Sequence, residues 1–457
     1  MTPRQRIAIV GLGVNNQPLV PFFLDQSHVD LIVADRKDSL MLGQILTRMG
    51  VSTADVEILG GPDYLTRLAR MTDLNQVYVT PGMPKHLPEF RLLASRGTVL
   101  TSETDLFLGK CPASVIGITG SAGKTTTTTL VGEALRKDGR RPVFVGGNIG
   151  VSLLPDLPRI NRRDWVVMEL SSFQLELVTH SPHGAALLNL APNHLDVHGD
   201  FEAYQAAKRH IWDFQSEDDW AIVPSEDSLV SKLREGQRGQ PVYFSLNEVP
   251  AHGAGIRDGW LAWQDTERFV KIVEDGKLKV PGIHNVANAL AAIAIVIQAG
   301  GAPEAIAEVL ATFTGVPHRL EIVRDHDSIV YINDSIATAP DRTMAALRAI
   351  KSPIILIAGG YDKHLDYWAL GKAICESSVK CVVVLGQTAD KIARAVREHG
   401  AVPVVAVGGG LSEAVQAARK HAIAGDVVLL SPASASYDMF LNFEERGQSF
   451  REIVQQL

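Results

Sequence analysis

The chain has 457 residues, 46% of them hydrophobic and 21% charged, with a formal net charge of −7. That length is enough for about three domains, and the composition is that of an ordinary globular protein. Acidic and basic residues are spread along the chain without a basic block or tail, which argues against nucleic acid or an anionic membrane as a partner.

The opening MTPRQRIAIVG enters a strand almost at once, with no room for a signal peptide. The longest apolar run, 289–297, is far short of the ~20 residues a membrane-spanning helix needs. Cys111, Cys375 and Cys381 form no C-x-x-C pair and read as reduced thiols, not a disulfide frame or zinc site. A cytoplasmic protein is expected.

Three α/β segments follow in order. The first has short apolar strands at 7–10, 31–34, 77–80 and 98–100, with helical patterns between them, so a parallel sheet is expected. Residues 11–16, GLGVNN, approach G-x-G-x-x-G, with Asn16 at the third glycine position and Asp35 ending the next strand. Three readings stand: a βα turn without ligand, a dinucleotide site, or a site for another nucleotide diphosphate at a helix N-terminus. Asp35 then meets a ribose or another polar part of the ligand.

The second segment opens on 115–128, VIGITGSAGKTTTT. An apolar strand ends in a turn holding Gly120, Ser121, Ala122, Gly123 and Lys124, and a helical pattern beginning at Thr125 and Thr126 runs to about 139. This is a shortened phosphate loop: a strict G-x-x-x-x-G-K-[ST] places glycine at 118, where this chain has Ile118. Loop N–H groups and the helix dipole face an anion, Lys124 adds a point charge, and the Thr125 hydroxyl suits Mg²⁺. A nucleoside triphosphate is expected.

Further strands are expected at 142–145, 165–170, 185–189 and 220–223. Glu169 ends one of them, where ligands of open α/β sheets collect, and is a candidate Mg²⁺ ligand beside Thr125. His194 follows another, either as a second metal ligand or as a hydrogen-bonded loop histidine. In FEAYQAAKRHIWDF, Tyr204, Lys208, Ile211 and Trp212 share one helical face, which puts Lys208 on the buried side. Its ammonium either snorkels to solvent, the reading the sequence alone favours, or is deprotonated and carbamylated into an anionic metal ligand. An irregular, partly antiparallel stretch at 242–280 and an apolar helix at 285–299 follow, and 315–319, GVPHR, reads as a linker. The third segment repeats the rhythm with strands at 329–332, 354–358, 381–385, 404–407 and 427–430.

Taken together, ITGSAGKTTT, MELSSFQLE, NLAPNHLD with Lys208, GIHNVANALAA, GVPHRLE, NDSIATAP and LSPASASYDMFLNFEERG resemble the Mur ligases, in order from about residue 11 to 450. MELSSFQL and the last block look most like the branch that adds D-glutamate, and the D-N-P-R element of the diaminopimelate- or lysine-adding enzymes is missing. The resemblance implies an α/β chain of three domains. These are a Rossmann-like domain at 1–108 for the UDP substrate, a P-loop ATPase domain at 109–316 and a Rossmann-like, amino-acid-binding domain at 317–457. It implies an ATP-dependent, ADP-forming ligase of peptidoglycan synthesis, with UDP-N-acetylmuramoyl-L-alanine, glutamate and ATP as partners, working as a cytoplasmic monomer. The reaction passes through an acyl phosphate.

Residue roles follow by motif. Lys124 and Thr125 hold phosphates and Mg²⁺, and Glu169 is a ligand of that metal. His194 and a carbamylated Lys208 look like a second Mg²⁺ site. Asn285, Arg319 and Asp334 are similar to nucleotide-binding residues, and Asn148 to a substrate contact. Lys363, Ser436 and Phe443 match positions that hold glutamate. Leu12, Asp35 and Arg36, with Thr80 and Gly82, look like the uridine-diphosphate site. Ala122 replaces an Asn common in the family's loop. Ile336 stands where many D-glutamate-adding members have Lys, and Ala339 replaces a further Asn. D-glutamate is the expected acceptor. The alternatives are the L-glutamate-adding variant and a folylpolyglutamate synthase-like ligase, the latter disfavoured by the first-domain glycines.

Overall fold

The computed structural model describes residues 4–457 except 150, 151, 281 and 364. The first sheet holds β1 (Gln5–Val10), β2 (Val29–Asp35), β3 (Glu57–Gly60), β4 (Gln76–Val79) and β5 (Val99–Thr101), all parallel, in the order β3-β2-β1-β4-β5. The order reverses at β1, so the crevice where ligands collect opens beyond the carboxyl ends of β1 and β4. Strand β3 was not foreseen; at four residues it is too short to show a period.

The second sheet contains β6 (Ser114–Thr119), β7 (Val143–Gly147), β8 (Trp165–Glu169), β9 (Gly184–Leu187), β10 (Trp220–Pro224), β11 (Gln240–Phe244), β12 (Gly253–Arg257), β13 (Trp260–Gln264) and β14 (Phe269–Glu274). Their order is β14-β13-β12-β11-β10-β9-β6-β8-β7. The stretch expected to be irregular continues this sheet: β11 and β12 add in parallel, and only the β12–β13 and β13–β14 pairs are antiparallel. The helix Ile283–Gln298 has eleven buried residues and packs on the helix Lys124–Asp138 and on β10–β13. Each Leu or Ile so buried contributes about 1.5–3 kcal/mol, which is why this helix is apolar nearly all round. One apolar cluster runs from Ile7, Phe23 and Tyr78 through Phe107 to Val166 and Met168, so the first two sheets share a core.

A second compact unit begins at Thr314, close to the expected linker. Its sheet holds β15 (Glu321–His326), β16 (Ile329–Asn333), β17 (Ile354–Gly359), β18 (Val379–Leu385), β19 (Val404–Ala406) and β20 (Val427–Leu430), in the order β15-β16-β20-β17-β18-β19. All pairs are parallel except the edge pair β15–β16, and β15 too was unforeseen. Apolar clusters cover this sheet with helices. Among the described residues, no helix is long and apolar enough to cross a membrane, and the three cysteines are unpaired.

Candidate active site

The second sheet changes direction at β6, whose neighbours are β8 and β9, and the phosphate loop leaves β6 at that point. Gly123 adopts φ +83° just before the helix Lys124–Asp138, and an added Cβ would strike the Asn288 side chain. Only glycine meets both demands. Asn189, after β9, clamps the loop: its Oδ1 accepts from Ala122 N at 2.9 Å and its Nδ2 donates to Ala122 O at 3.0 Å. The Ser121 hydroxyl lies 2.9 Å from Tyr204 OH. Lys124 Nζ donates to Gly120 O at 2.9 Å. The loop is thus built before any phosphate arrives.

Lys208 does not snorkel. It is 1% exposed, and its Nζ donates to Thr119 Oγ1 and Gly120 O, both at 3.0 Å. Its stem is too enclosed by Tyr204, Ile211 and Trp212 on the same buried face to reach water. Burial, reinforced by the Lys124 cation and opposed by Glu169, pulls its pKa well below the ordinary lysine value. Burial thus shifts the balance toward the neutral amine relative to an exposed lysine.

Glu169 ends β8 and is 2% exposed. Asn148 Nδ2 donates to its Oε1, and Oε2 is buried without a hydrogen-bond partner among the described residues. A buried carboxylate oxygen left open suits a cation, so the chemistry of this position fits Mg²⁺. His194 is exposed in a left-handed conformation at the start of the helix Leu195–His198, its ring 5.0 Å from that of Phe173. No group of three or more His, Cys, Asp or Glu side chains is arranged for a metal among the described residues.

At the crevice of the first sheet, Leu12 N donates to Asp35 Oδ2 at 2.8 Å and Lys37 N to Asp35 Oδ1 at 3.0 Å. Asp35 thereby ties the end of β2 to the glycine loop. Thr80 N donates to Val10 O, and the Thr80 methyl packs so closely on Gly11 that a Cβ there would collide. Leu12 is buried, while Arg36 and Gly82 are exposed beside it.

In the second unit, Asp334 follows β16, and its oxygens accept from Leu320 N at 3.2 Å and Ser431 Oγ at 2.7 Å. Arg319 is exposed, close enough for its cation to act on Asp334. Lys363 Nζ lies 5.7 Å over the Tyr437 ring, Ser436 is buried, and the Phe443 ring meets His318 edge-on at 6.3 Å. Loops after β16, β17 and β20 thus carry these residues at one end of one sheet.

Two family models match the chain, the Mur ligase middle domain over residues 118–296 and the Mur ligase glutamate ligase domain over 318–434. A UDP-N-acetylmuramoylalanine–D-glutamate ligase of Symbiobacterium thermophilum is 42% identical over 459 residues, covering 99% of this chain and 98% of that one. The chain belongs to the Mur ligase family. A ligase of the same name from Acetivibrio thermocellus is 41% identical over 456 residues, covering 98% and 96%. The solved UDP-N-acetylmuramate–alanine ligase of Thermotoga maritima shares the fold, with a TM-score of 0.51 at 20% identity and coverage of 99% and 100%.

Two site residues of this Mur ligase escaped the sequence reading. Asn288, one turn after Asn285 in GIHNVANALAA, stands over Gly123, and that one-turn spacing is the signal in the sequence. Arg446, 2% exposed, donates to Ser335 Oγ, Ser335 O, Ser434 O and Ala435 O. It fastens the helix Phe443–Gln455 to the loops carrying Asp334 and Ser436.

Asp334 supplies a test in solution. Burial pushes its carboxyl up to about 6 from 3.8, against the Ser431 hydroxyl, the Leu320 N–H and the Arg319 and Arg342 cations. The folded Mur ligase therefore binds this proton more tightly than the unfolded chain. The resulting stabilisation is complete below about pH 4 and is lost as pH rises through about 6. Asp334→Asn removes the slope, so the wild-type-minus-variant unfolding free energy should fall by about 1.4 kcal/mol per pH unit in that window. Urea titrations at pH 4, 5 and 6 measure it, and a pH-independent difference contradicts it.

Proposed function

We propose that this Mur ligase joins D-glutamate to UDP-N-acetylmuramoyl-L-alanine, consuming ATP and forming ADP, in the synthesis of peptidoglycan precursors. The observation that carries this is the whole-length similarity, at 41% and 42% identity, to two ligases bearing that name. The substrate carboxylate attacks the γ-phosphorus of ATP, forming an acyl phosphate and releasing ADP. The glutamate amine then attacks the acyl carbon, and phosphate leaves as the amide forms. Residues 1–108 bind the UDP substrate, 109–316 bind ATP, and 317–457 bind glutamate.

The loop N–H groups and Lys124 hold the phosphates, with Asn285 contributing to the nucleotide site; Arg319 and Asp334, in the second unit, match nucleotide-binding positions of the family. Thr125 and Glu169 hold Mg²⁺, which when bound offsets the charge of the transferring phosphoryl group. His194 and Lys208 form a second Mg²⁺ site. For that role the buried Lys208 amine, in its neutral form, takes up CO₂ to give a carbamate and release a proton. Lys363, Ser436 and Phe443 receive the glutamate. The crevice beyond β1 and β4, with Leu12, Asp35, Arg36, Thr80 and Gly82, takes the uridine diphosphate.

Phosphate release from ATP, measured with UDP-N-acetylmuramoyl-L-alanine and a panel of amino acids, tests the reading. D-glutamate should drive release. Dependence on L-glutamate instead would transfer the protein to the L-adding variant, which Ile336 keeps open. Release that no amino acid stimulates sinks the ligase reading.

A further inference from the structure

Lys85 is the most heavily committed lysine outside the phosphate site. Its side chain is 8% exposed. Nζ donates to Thr80 O at 3.3 Å and to Pro81 O, and pairs with Glu176 Oε2 at 3.4 Å. The two carbonyls belong to the Thr80-Pro81-Gly82 turn beyond β4. Glu176 closes the short helix Ser172–Leu175, whose capping box of Ser171 and Gln174 starts two residues after Glu169. From the same helix Ser172 Oγ meets His198 Nε2 at 3.0 Å, and His198 lies in the helix that His194 begins. A polar chain thus runs from the crevice of the first sheet to the carboxyl end of β8 and on to the His194 turn.

We propose that Lys85 is a positioning residue: with Glu176 it fixes the Thr80-Pro81-Gly82 turn, and so the diphosphate of the UDP substrate, at a set distance from the Glu169 end of β8. The inference rests on the UDP-substrate reading above. Its physical basis is that a nearly buried ammonium with three acceptors has one arrangement open to it. The turn it holds would otherwise depend on Pro81 and Gly82 for its shape. Distance between the two sites matters because the carboxylate to be phosphorylated sits at the far end of the molecule whose diphosphate the turn receives, and a small misplacement is costly in rate.

The test compares steady-state kinetics and melting temperatures of wild type, Lys85→Met, Lys85→Arg and Glu176→Gln. Lys85→Met should lower kcat and raise KM for UDP-N-acetylmuramoyl-L-alanine, each about tenfold, and leave KM for ATP within about twofold. Lys85→Arg should recover most of that loss, since a guanidinium still reaches carbonyls and a carboxylate. Glu176→Gln keeps the carbonyl bonds and should show a smaller rise in the same KM, at an unchanged melting temperature. If Lys85→Met fails to fold, Glu176→Gln and Lys85→Arg decide. An unchanged KM for the UDP substrate in a folded Lys85→Met or, failing that, in Glu176→Gln overturns the proposal, as does a parallel rise in all three substrate KM values. Wild type that neither binds nor turns over the UDP substrate overturns the functional reading, and the proposal with it.

Discussion

Lys208→Ala is expected to lower kcat by about 10³-fold, on the scale seen when a preorganised charged group is removed from a water-excluded site. The substitution removes the only amine that meets both Thr119 Oγ1 and Gly120 O among the described contacts, and does so at the entry to the phosphate loop. Bicarbonate should restore part of the activity by supplying an anion of the right shape to the space left. Lys208→Arg should be as inactive as alanine, because a guanidinium stays cationic and forms no carbamate. The measurement is phosphate release with and without added bicarbonate. Wild-type activity in Lys208→Ala without additive would remove the carbamate from the mechanism.

The second large effect is on stability. Arg446→Met should cost about 2–6 kcal/mol, since it leaves two buried carbonyls, those of Ser335 and Ser434, without their donor, at about 1–3 kcal/mol each, while Ala435 O keeps the Tyr361 N–H. Burial pulls the guanidinium down to about 10, with Asp438 opposing, so it is charged at neutral pH. Arg446→Lys should rescue little, because one ammonium cannot span acceptors that a planar fork reaches from several sides. Urea unfolding measures the loss, and a change below about 1 kcal/mol would show that the loops hold without the clamp. KM for glutamate should rise with it, since Ser436 and Phe443 flank the bonds that Arg446 makes.

What the sequence disclosed divides along a physical line. Glycine-lysine turns and carboxylates at strand ends declare themselves locally, since the residues that give the loop its shape also carry its charge. The placement of Glu169 at the end of β8 and of Lys124 at the start of its helix was legible for that reason. Lys208 was half legible: helical spacing put it on the inner face, and the depth of burial decided against solvent. Arg446 and Lys85 were not legible. Arg446 sits in FEERGQSF, which reads as a solvated helix start, and its acceptors are supplied by Ser335 and by residues 434 and 435 from other loops. Lys85 lies in a Met-Pro-Lys-His turn that reads as surface, and its partner Glu176 comes from another sheet's connection. Strand β3 was missed because it is only four residues long, and β15 because five of its six residues, Glu321, Ile322, Arg324, Asp325 and His326, are polar or exposed.

Gly120 O accepts from both Lys124 and Lys208. One carbonyl thus keeps the two lysine amines as close neighbours before any nucleotide is bound. A triphosphate that draws Lys124 toward its own oxygens takes a competitor from that carbonyl and a repelling charge from beside Lys208. By reciprocity, whatever factor a bound triphosphate imposes on the charge equilibrium of Lys208, that equilibrium imposes on the affinity for the triphosphate. Under the proposed carbamylation of Lys208, dissolved CO₂ and ATP would be heterotropic effectors of one another, with a single peptide oxygen as the point of exchange.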